Sequence, residues 1–279
     1  MLSVNCKGRL LLLDEPKVMG IINTTDDSFY SGSRITQIDK VLQKAEGMLQ
    51  EGAAIIDIGG QSTRPGSHRI SAEEELQRVI PAVEALLKTF PFAIISVDTY
   101  YSKVAHEAVQ AGVSIVNDVS AGIIDEQLWP TVAALNVPYI LMHMHGDPQT
   151  MQKNPNYQNV VLEVFDFLNF KLAALHQLGI KDVIVDPGFG FGKTIDHNFS
   201  LLHQLSYFKN LNKPLLVGLS RKASVYKTLG ITAEEALNGT TVLHTISLLN
   251  GANILRVHDV KEAVQAIQLV KAFSNSTKQ

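Results

Sequence analysis

The stretch "AIIDIGGQSTRPG" (residues 54–66) opens as a strand and ends as something else. Its first half is apolar at nearly every position and rich in isoleucine, as a parallel strand buried on both faces is. Its second half crowds glycines, two hydroxyls, an arginine and a proline into one loop, more than a plain turn needs. A buried strand that delivers a loop built to hold something is the theme of the whole chain.

Seven further runs share the apolar half: "KVMGIIN" (17–23), "FAIISVDT" (92–99), "SIVNDVS" (114–120), "PYILMH" (138–143), "VIVDPGF" (183–189), "PLLVGLS" (214–220) and "ILRVHDV" (254–260). Helical patterns lie between them. Leu162, Phe165, Leu168, Leu172, Leu175 and Leu178 recur at steps of three and four and predict one buried helix face. "SAEE" (71–74) and "TAEE" (232–235) have the spacing of capping boxes. Gly52, Gly112, Gly179 and Gly251 stand where helices end before the next strand. Eight strand–helix units predict a (β/α)8 barrel. A doubly wound open sheet is the alternative, and no G-x-G-x-x-G after the first strand supports it. Residues 1–14 fall outside the eightfold count and predict a hairpin closing the barrel bottom. The expectation is one domain over 1–279, with a frayed tail at 274–279. Strand-to-helix links read as long after the first, second, fifth, sixth and seventh strands, which is where barrel enzymes build their sites.

The chain has 279 residues, 46% hydrophobic and 18% charged, with a formal net charge of -3, enough for a large core and without the basic face of a nucleic-acid binder. No apolar run reaches the ~18 residues of a membrane span. Cys6 is the only cysteine, so no intrachain disulfide can form, and a reducing, cytoplasmic setting is expected.

Polar residues gather at the strand ends: Asn23, the 59–66 loop, Asp98, Asn117, Asp118, His143, Asp186, then Ser220, Arg221 and Lys222, and finally Arg256, His258 and Asp259. A buried carboxylate is costly unless paired, and one such residue is ordinarily structural. Seven or eight on one rim point to a ligand. Asp98, Asn117 and Asp186 suit the edge of a flat heterocycle with N–H donors, and Lys222 an exocyclic carbonyl. Asn23, Ser62, Thr63, Arg64, Arg256 and His258 form a donor-rich patch suited to a phosphate or pyrophosphate. Weaker readings are a Schiff base on Lys222 and a zinc site on His143 and His145, which lack an evident third ligand.

Taken together, "MGIINTTDDSF" (19–29), "DIGGQSTRPG" (57–66), "SVDT" (96–99), "NDVS" (117–120), "DPGFGFGK" (186–193), "GLSRK" (218–222) and "RVHDV" (256–260) resemble the motifs of the dihydropteroate synthase family. The resemblance spans almost the whole chain, in family order. It implies condensation of 6-hydroxymethyl-7,8-dihydropterin pyrophosphate with 4-aminobenzoate, giving 7,8-dihydropteroate and pyrophosphate, by an SN1-like path with Mg2+ on the leaving group. By the same resemblance, Asp98, Asn117, Asp186 and Lys222 hold the pterin. Asn23, Ser62, Thr63, Arg256 and His258 hold the pyrophosphate, with Asn23 on the metal. Thr63, Arg64, Pro65, Phe191 and Ala223 line the aminobenzoate end, and Asp98, Lys222, Arg256 and His258 act in the chemistry. Sulfonamide inhibitors and a homodimer through the last helices are implied too. Three residues depart from the family pattern: Asp26 replaces a proline, Gln61 a glutamate, and Ala223 a serine or arginine. Two other readings are a catalytically silent pterin-binding paralogue and a methyltetrahydrofolate-dependent methyltransferase barrel.

Overall fold

The computed structural model describes residues 2–24, 34–61, 68–146, 151–152 and 155–276. The chain opens with the expected hairpin, β1 (Ser3–Cys6) against β2 (Arg9–Leu12), paired antiparallel. Eight parallel strands follow: β3 (Lys17–Asn23), β4 (Ile55–Gly59), β5 (Ile94–Asp98), β6 (Ile115–Asp118), β7 (Tyr139–Met142), β8 (Val183–Asp186), β9 (Leu216–Val217) and β10 (Ile254–Val257). They pair in the order β8-β7-β6-β5-β4-β3-β10-β9, and a parallel bridge from Val185 to Leu215 joins the two ends. The fold is the (β/α)8 barrel with its N-terminal hairpin, and every run read as a strand contains one.

Successive residues of a strand face opposite sides. The outward set, such as Val18, Ile56, Ile58, Ile95, Val97, Val116, Val185 and Val217, packs beneath the helices. The inward set begins with one apolar residue per strand: Met19, Ile55, Ile94, Ile115, Ile140, Ile184, Leu216 and Ile254. Val4, Cys6, Leu11 and Leu13 of the hairpin segment cover this layer from below. Two residues further along the strands, the inward positions become Asp57, Ser96, Asn117, Asp186 and Arg256. The lower half of the barrel is therefore a dry plug, and the upper half is polar.

The helices are α1 (Arg34–Gln50), α2 (Ala72–Thr89), α3 (Ser102–Gln110), α4 (Leu128–Leu135), α5 (Val160–Gln177), α6 (Ile195–His203), α7 (Ala223–Leu229), α8 (Leu237–Leu249) and α9 (Val260–Asn275). The first capping box forms as expected. Ser71 Oγ accepts from the Glu74 N–H, and the Glu74 carboxylate accepts from the Ser71 N–H at 2.8 Å. The second does not open a helix: Glu235 Oε2 accepts from the Thr232 N–H at 3.0 Å, but α8 starts only at Leu237. In α5 the buried face is Val160, Val161, Val164, Leu168 and Leu175, while Leu162 and Leu178 are exposed. Phe165, Leu168, Leu172 and Leu175 of the expected stripe do meet the core, and it departs only at its ends, because the β-branched residues of the first turn meet the barrel in place of Leu162. Gly52, Gly112, Gly179 and Gly251 all have positive φ at helix ends. The link at 119–127 is also long, and that at 218–222 short, contrary to expectation. Helix α9 runs through Asn275, past the point where the tail was expected to fray.

Candidate active site

Parallel register sets the polar layer side by side. Asp57 lies opposite Ser96, and Asp98 lies between Gly59 and Asn117. Asp57 is completely buried, and Asp98 and Asn117 nearly so. Two carboxylates this close need a cation, and Arg256 reaches across from β10. Its Nε donates to Asp57 Oδ2 at 2.6 Å and its Nη2 donates to Asp98 Oδ2 at 2.5 Å. Asn117 Nδ2 donates to the same Asp57 oxygen at 3.1 Å. Asp57 Oδ1 and Ser96 Oγ are buried and unpartnered among the described residues. Burial pushes the Asp98 carboxyl up to about 7 against the pull of Arg256, and the Asp57 and Asp118 carboxylates push the same way. Burial works against the Arg256 cation, but Asp57 and Asp98 outweigh it and raise its pKa.

A second pair faces this one. Asp186 ends β8 and accepts from the Gly188 N–H at 2.7 Å. Burial raises its pKa, while the Lys222 cation opposes. Lys222 Nζ donates to the Phe189 carbonyl and lies 4.6 Å from the centre of the Phe191 ring. Burial lowers the Lys222 amine to about 8, with Asp186 pulling it back up. The loop that carries both aromatic residues is pinned from beneath by Lys193. Its fully buried Nζ donates to the Gly188 carbonyl at 2.9 Å and the Phe191 carbonyl at 3.1 Å, and meets His143 Nδ1 at 2.9 Å. That contact takes one ring nitrogen of His143 away from any metal. No group of three or more His, Cys, Asp or Glu suited to a metal occurs among the described residues.

At the rim, Ser220 Oγ meets His258 Nδ1 at 3.0 Å and accepts from the His258 N–H at 3.2 Å. Arg221, at φ +52, forks onto Asp259 with Nε and Nη2 at 2.8 and 2.9 Å. Burial and the Arg256 charge lower the pKa of His258, although its ring is exposed and water screens part of the effect. Asn23 ends β3, half-buried, opposite Gly59.

Most of the sequence-derived site thus converges: Asn23, Asp98, Asn117, Asp186, Lys222, Arg256 and His258 ring one mouth, with Phe191 and Ala223 at its edge. Arg256 turns toward the carboxylates of the heterocycle side, since buried carboxylates compete strongly for a guanidinium. Ser62, Thr63, Arg64 and Pro65 lie outside the described residues, as does Asp26. Gln61 is described. Its amide donates to the His68 carbonyl at 3.0 Å and accepts from the Ile70 N–H at 2.9 Å and the Tyr100 hydroxyl at 3.1 Å. A carboxylate in its place could not make the first bond. Sequence reasoning missed Asp57, although its place two residues beyond Ile55 marks it as inward-facing, and it missed Lys193 and the bracing role of Ser220.

The sequence model of the family described as "Pterin binding enzyme" matches residues 19–258. The dihydropteroate synthase of Escherichia coli (strain K12) is 43% identical over 268 residues, covering 95% of this chain and 94% of that one. The chain belongs to the dihydropteroate synthase family. Members of that family are transferases of folate biosynthesis. The Yersinia pestis dihydropteroate synthase, in a crystal structure with a sulfonamide drug complex, superposes with a TM-score of 0.92 at 39% identity, covering 98% of this chain and all of that one (100%). The Xanthomonas albilineans enzyme in complex with 7,8-dihydropteroate gives a TM-score of 0.88 at 38% identity, covering 98% of each chain.

Proposed function

We propose that this chain, working as one domain, condenses 6-hydroxymethyl-7,8-dihydropterin pyrophosphate with 4-aminobenzoate to give 7,8-dihydropteroate and pyrophosphate. The observation that carries this reading is the buried Asp57–Arg256–Asp98 bridge beside the Asp186–Lys222 pair, above a fully apolar plug. Unpartnered Asp57 Oδ1 and Ser96 Oγ leave hydrogen-bonding capacity in a dry site, which suits a ring with several N–H groups. Asp98, Asn117, Asp186 and Lys222 bind the pterin edge. Arg256 keeps its Nη1 hydrogens outside both ion pairs and directs them, with His258, Asn23, Ser62 and Thr63, at the pyrophosphate. Phe191, Ala223, Thr63, Arg64 and Pro65 border the aminobenzoate.

The exocyclic C–O bond breaks and its electron pair leaves with pyrophosphate. The electron-rich reduced pterin and the ionised Asp98 carry the positive charge left behind. The aminobenzoate nitrogen then bonds to that carbon and loses one proton. No nucleophile–base pair is needed. Asn23 presents one neutral oxygen, and a Mg2+ ion satisfied mainly by phosphate and water asks for only one or two protein oxygens, so the residues fit such an ion rather than an all-protein cage. Bound there, Mg2+ would neutralise charge on the leaving group.

Sulfonamides, as in the Yersinia pestis complex, would compete at the aminobenzoate end. We also infer a homodimer through α8 and α9, which present Val242, Leu249, Leu269 and Phe273 to solvent, and a cytoplasmic setting. No helix among the described residues is long and apolar enough to cross a membrane. The test is pyrophosphate release. It should require both the pterin pyrophosphate and 4-aminobenzoate. Release with the pterin alone, or none with both, defeats the proposal.

A further inference from the structure

Ser220 is buried, and its hydroxyl makes two contacts with one residue: the His258 N–H at 3.2 Å and His258 Nδ1 at 3.0 Å. A backbone N–H can only donate, so Ser220 Oγ accepts that bond. The hydroxyl has one proton of its own to give, and His258 Nδ1 is the acceptor within reach. A ring nitrogen that accepts carries no proton, so the proton of a neutral imidazole stands on Nε2. The contact is braced by its neighbours. Arg221, the next residue, forks onto Asp259, the neighbour of His258, and its N–H donates to Thr240 Oγ1 at 3.0 Å. Its Nη1 also reaches the Ala233 carbonyl at 3.0 Å. The ends of β9 and β10 are therefore tied twice, through Ser220–His258 and Arg221–Asp259.

We infer that Ser220 is a positioning residue that holds His258 as its Nε2–H tautomer and aims that N–H outward as an uncharged donor to the anionic leaving group. Without the hydroxyl, the ring is free to rotate and to exchange tautomers. Desolvation, Arg256 and Lys44 act against the imidazolium while Asp259 and the water at this exposed residue oppose them, and for the neutral ring the tautomer decides what His258 offers. The part of this inference that concerns the leaving group rests on the function proposed above; the tautomer does not.

The experiment has two arms, both on the full chain. Nitrogen-15 NMR of the histidine-labelled protein near pH 7.5, with His258 assigned through His258→Gln, should show an unprotonated Nδ1 and a protonated Nε2. An Nδ1–H form or an averaged mixture overturns the inference. In the second arm, calorimetry with pyrophosphate and with a pterin lacking phosphate is run on Ser220→Ala, Ser220→Thr and His258→Gln. Ser220→Ala should weaken pyrophosphate by roughly 5- to 30-fold, the worth of one hydrogen bond, and leave the pterin unchanged. Ser220→Thr, which restores the hydroxyl, should recover most of the loss. If His258→Gln weakens pyrophosphate and Ser220→Ala does not, the positioning role is wrong. If His258→Gln has no effect on pyrophosphate, the anion role of His258 is wrong, and the NMR arm still decides the tautomer.

Discussion

Arg256 Nε donates to Asp57 Oδ2 at 2.6 Å, at a depth where Asp57 has no exposed surface. The carboxylate receives Asn117 as well, so it organises two side chains at once. Removing one partner of a buried ion pair typically costs about 3–5 kcal/mol, because the other charge is left buried. Asp57→Ala should lose stability of that order in denaturant unfolding, while Asp57→Asn, which keeps an acceptor, should lose less. A loss below about 1 kcal/mol for the alanine would mean that Asp98 alone satisfies Arg256.

Asp98 supplies a pH signature. Burial raises its pKa to about 7, and the proposed role needs the ionised form. The turnover rate should therefore rise with pH and level off above about 7. Asp98→Asn should remove that acidic limb and lower kcat by about 10² or more, with a smaller loss of pterin affinity. The stability sign is opposite. A carboxyl with a raised folded-state pKa binds its proton longer when folded, so its contribution falls as pH rises from about 4 to about 7. The stability difference between Asp98→Asn and the unaltered chain should shift toward the variant over that window. An acidic limb that survives in Asp98→Asn would rule the assignment out.

The barrel was legible because eight apolar runs each end in polar residues, and that contrast survives in any single strand. Asp57 escaped notice for the reason that makes it important. It sits in mid-strand among isoleucines, where only the alternation of faces separates it from Ile56 and Ile58. The turn of Arg256 could not be read either, since it joins Arg256 to Asp57, 199 residues away in sequence. The middle of the α5 stripe was legible, since Phe165, Leu168, Leu172 and Leu175 do meet the core, but leucine periodicity alone does not say that the first-turn valines displace Leu162 from that face. Lys193 stands in the sequence only as the last residue of "DPGFGFGK", and only the fold brings His143, from the end of a different strand, against its amine.

Lys222 and Asp186 should separate by titration and by binding. Burial lowers the Lys222 amine to about 8, so its ammonium is lost as pH rises through that value. The KM for the pterin substrate should rise above about pH 8, and Lys222→Met should abolish that dependence. Asp186→Ala should weaken a phosphate-free pterin by about 1–3 kcal/mol, roughly 5- to 150-fold in Kd, since buried ring N–H groups would go unpaired. Near-native affinity in calorimetry would sink the role of Asp186.

Lys193 should prove essential without touching substrate. Burial pushes its pKa well down, yet three close acceptors surround its Nζ: the Gly188 carbonyl, the Phe191 carbonyl and His143 Nδ1. The backbone it holds cannot be rebuilt another way. At Gly188 φ is +72, and a Cβ there would stand 1.8 Å from the His143 carbonyl oxygen. That backbone sets the Gly188 N–H on Asp186 and the Phe189 carbonyl on Lys222. Lys193→Met keeps the apolar stem and removes every donor. The Gly188 carbonyl keeps the Phe191 N–H, but the Phe191 carbonyl and His143 Nδ1 lose this donor, and at about 1–3 kcal/mol for each buried acceptor left unpaired a stability loss of about 2–6 kcal/mol is expected. A purely structural role would stop there, and the folded fraction at low temperature would bind pterin normally. Because Asp186 and Lys222 both depend on this segment, pterin affinity of the folded variant should instead fall about tenfold or more. Calorimetry at 10 °C, corrected for the folded fraction, distinguishes the two, and unaltered affinity would confine Lys193 to the fold.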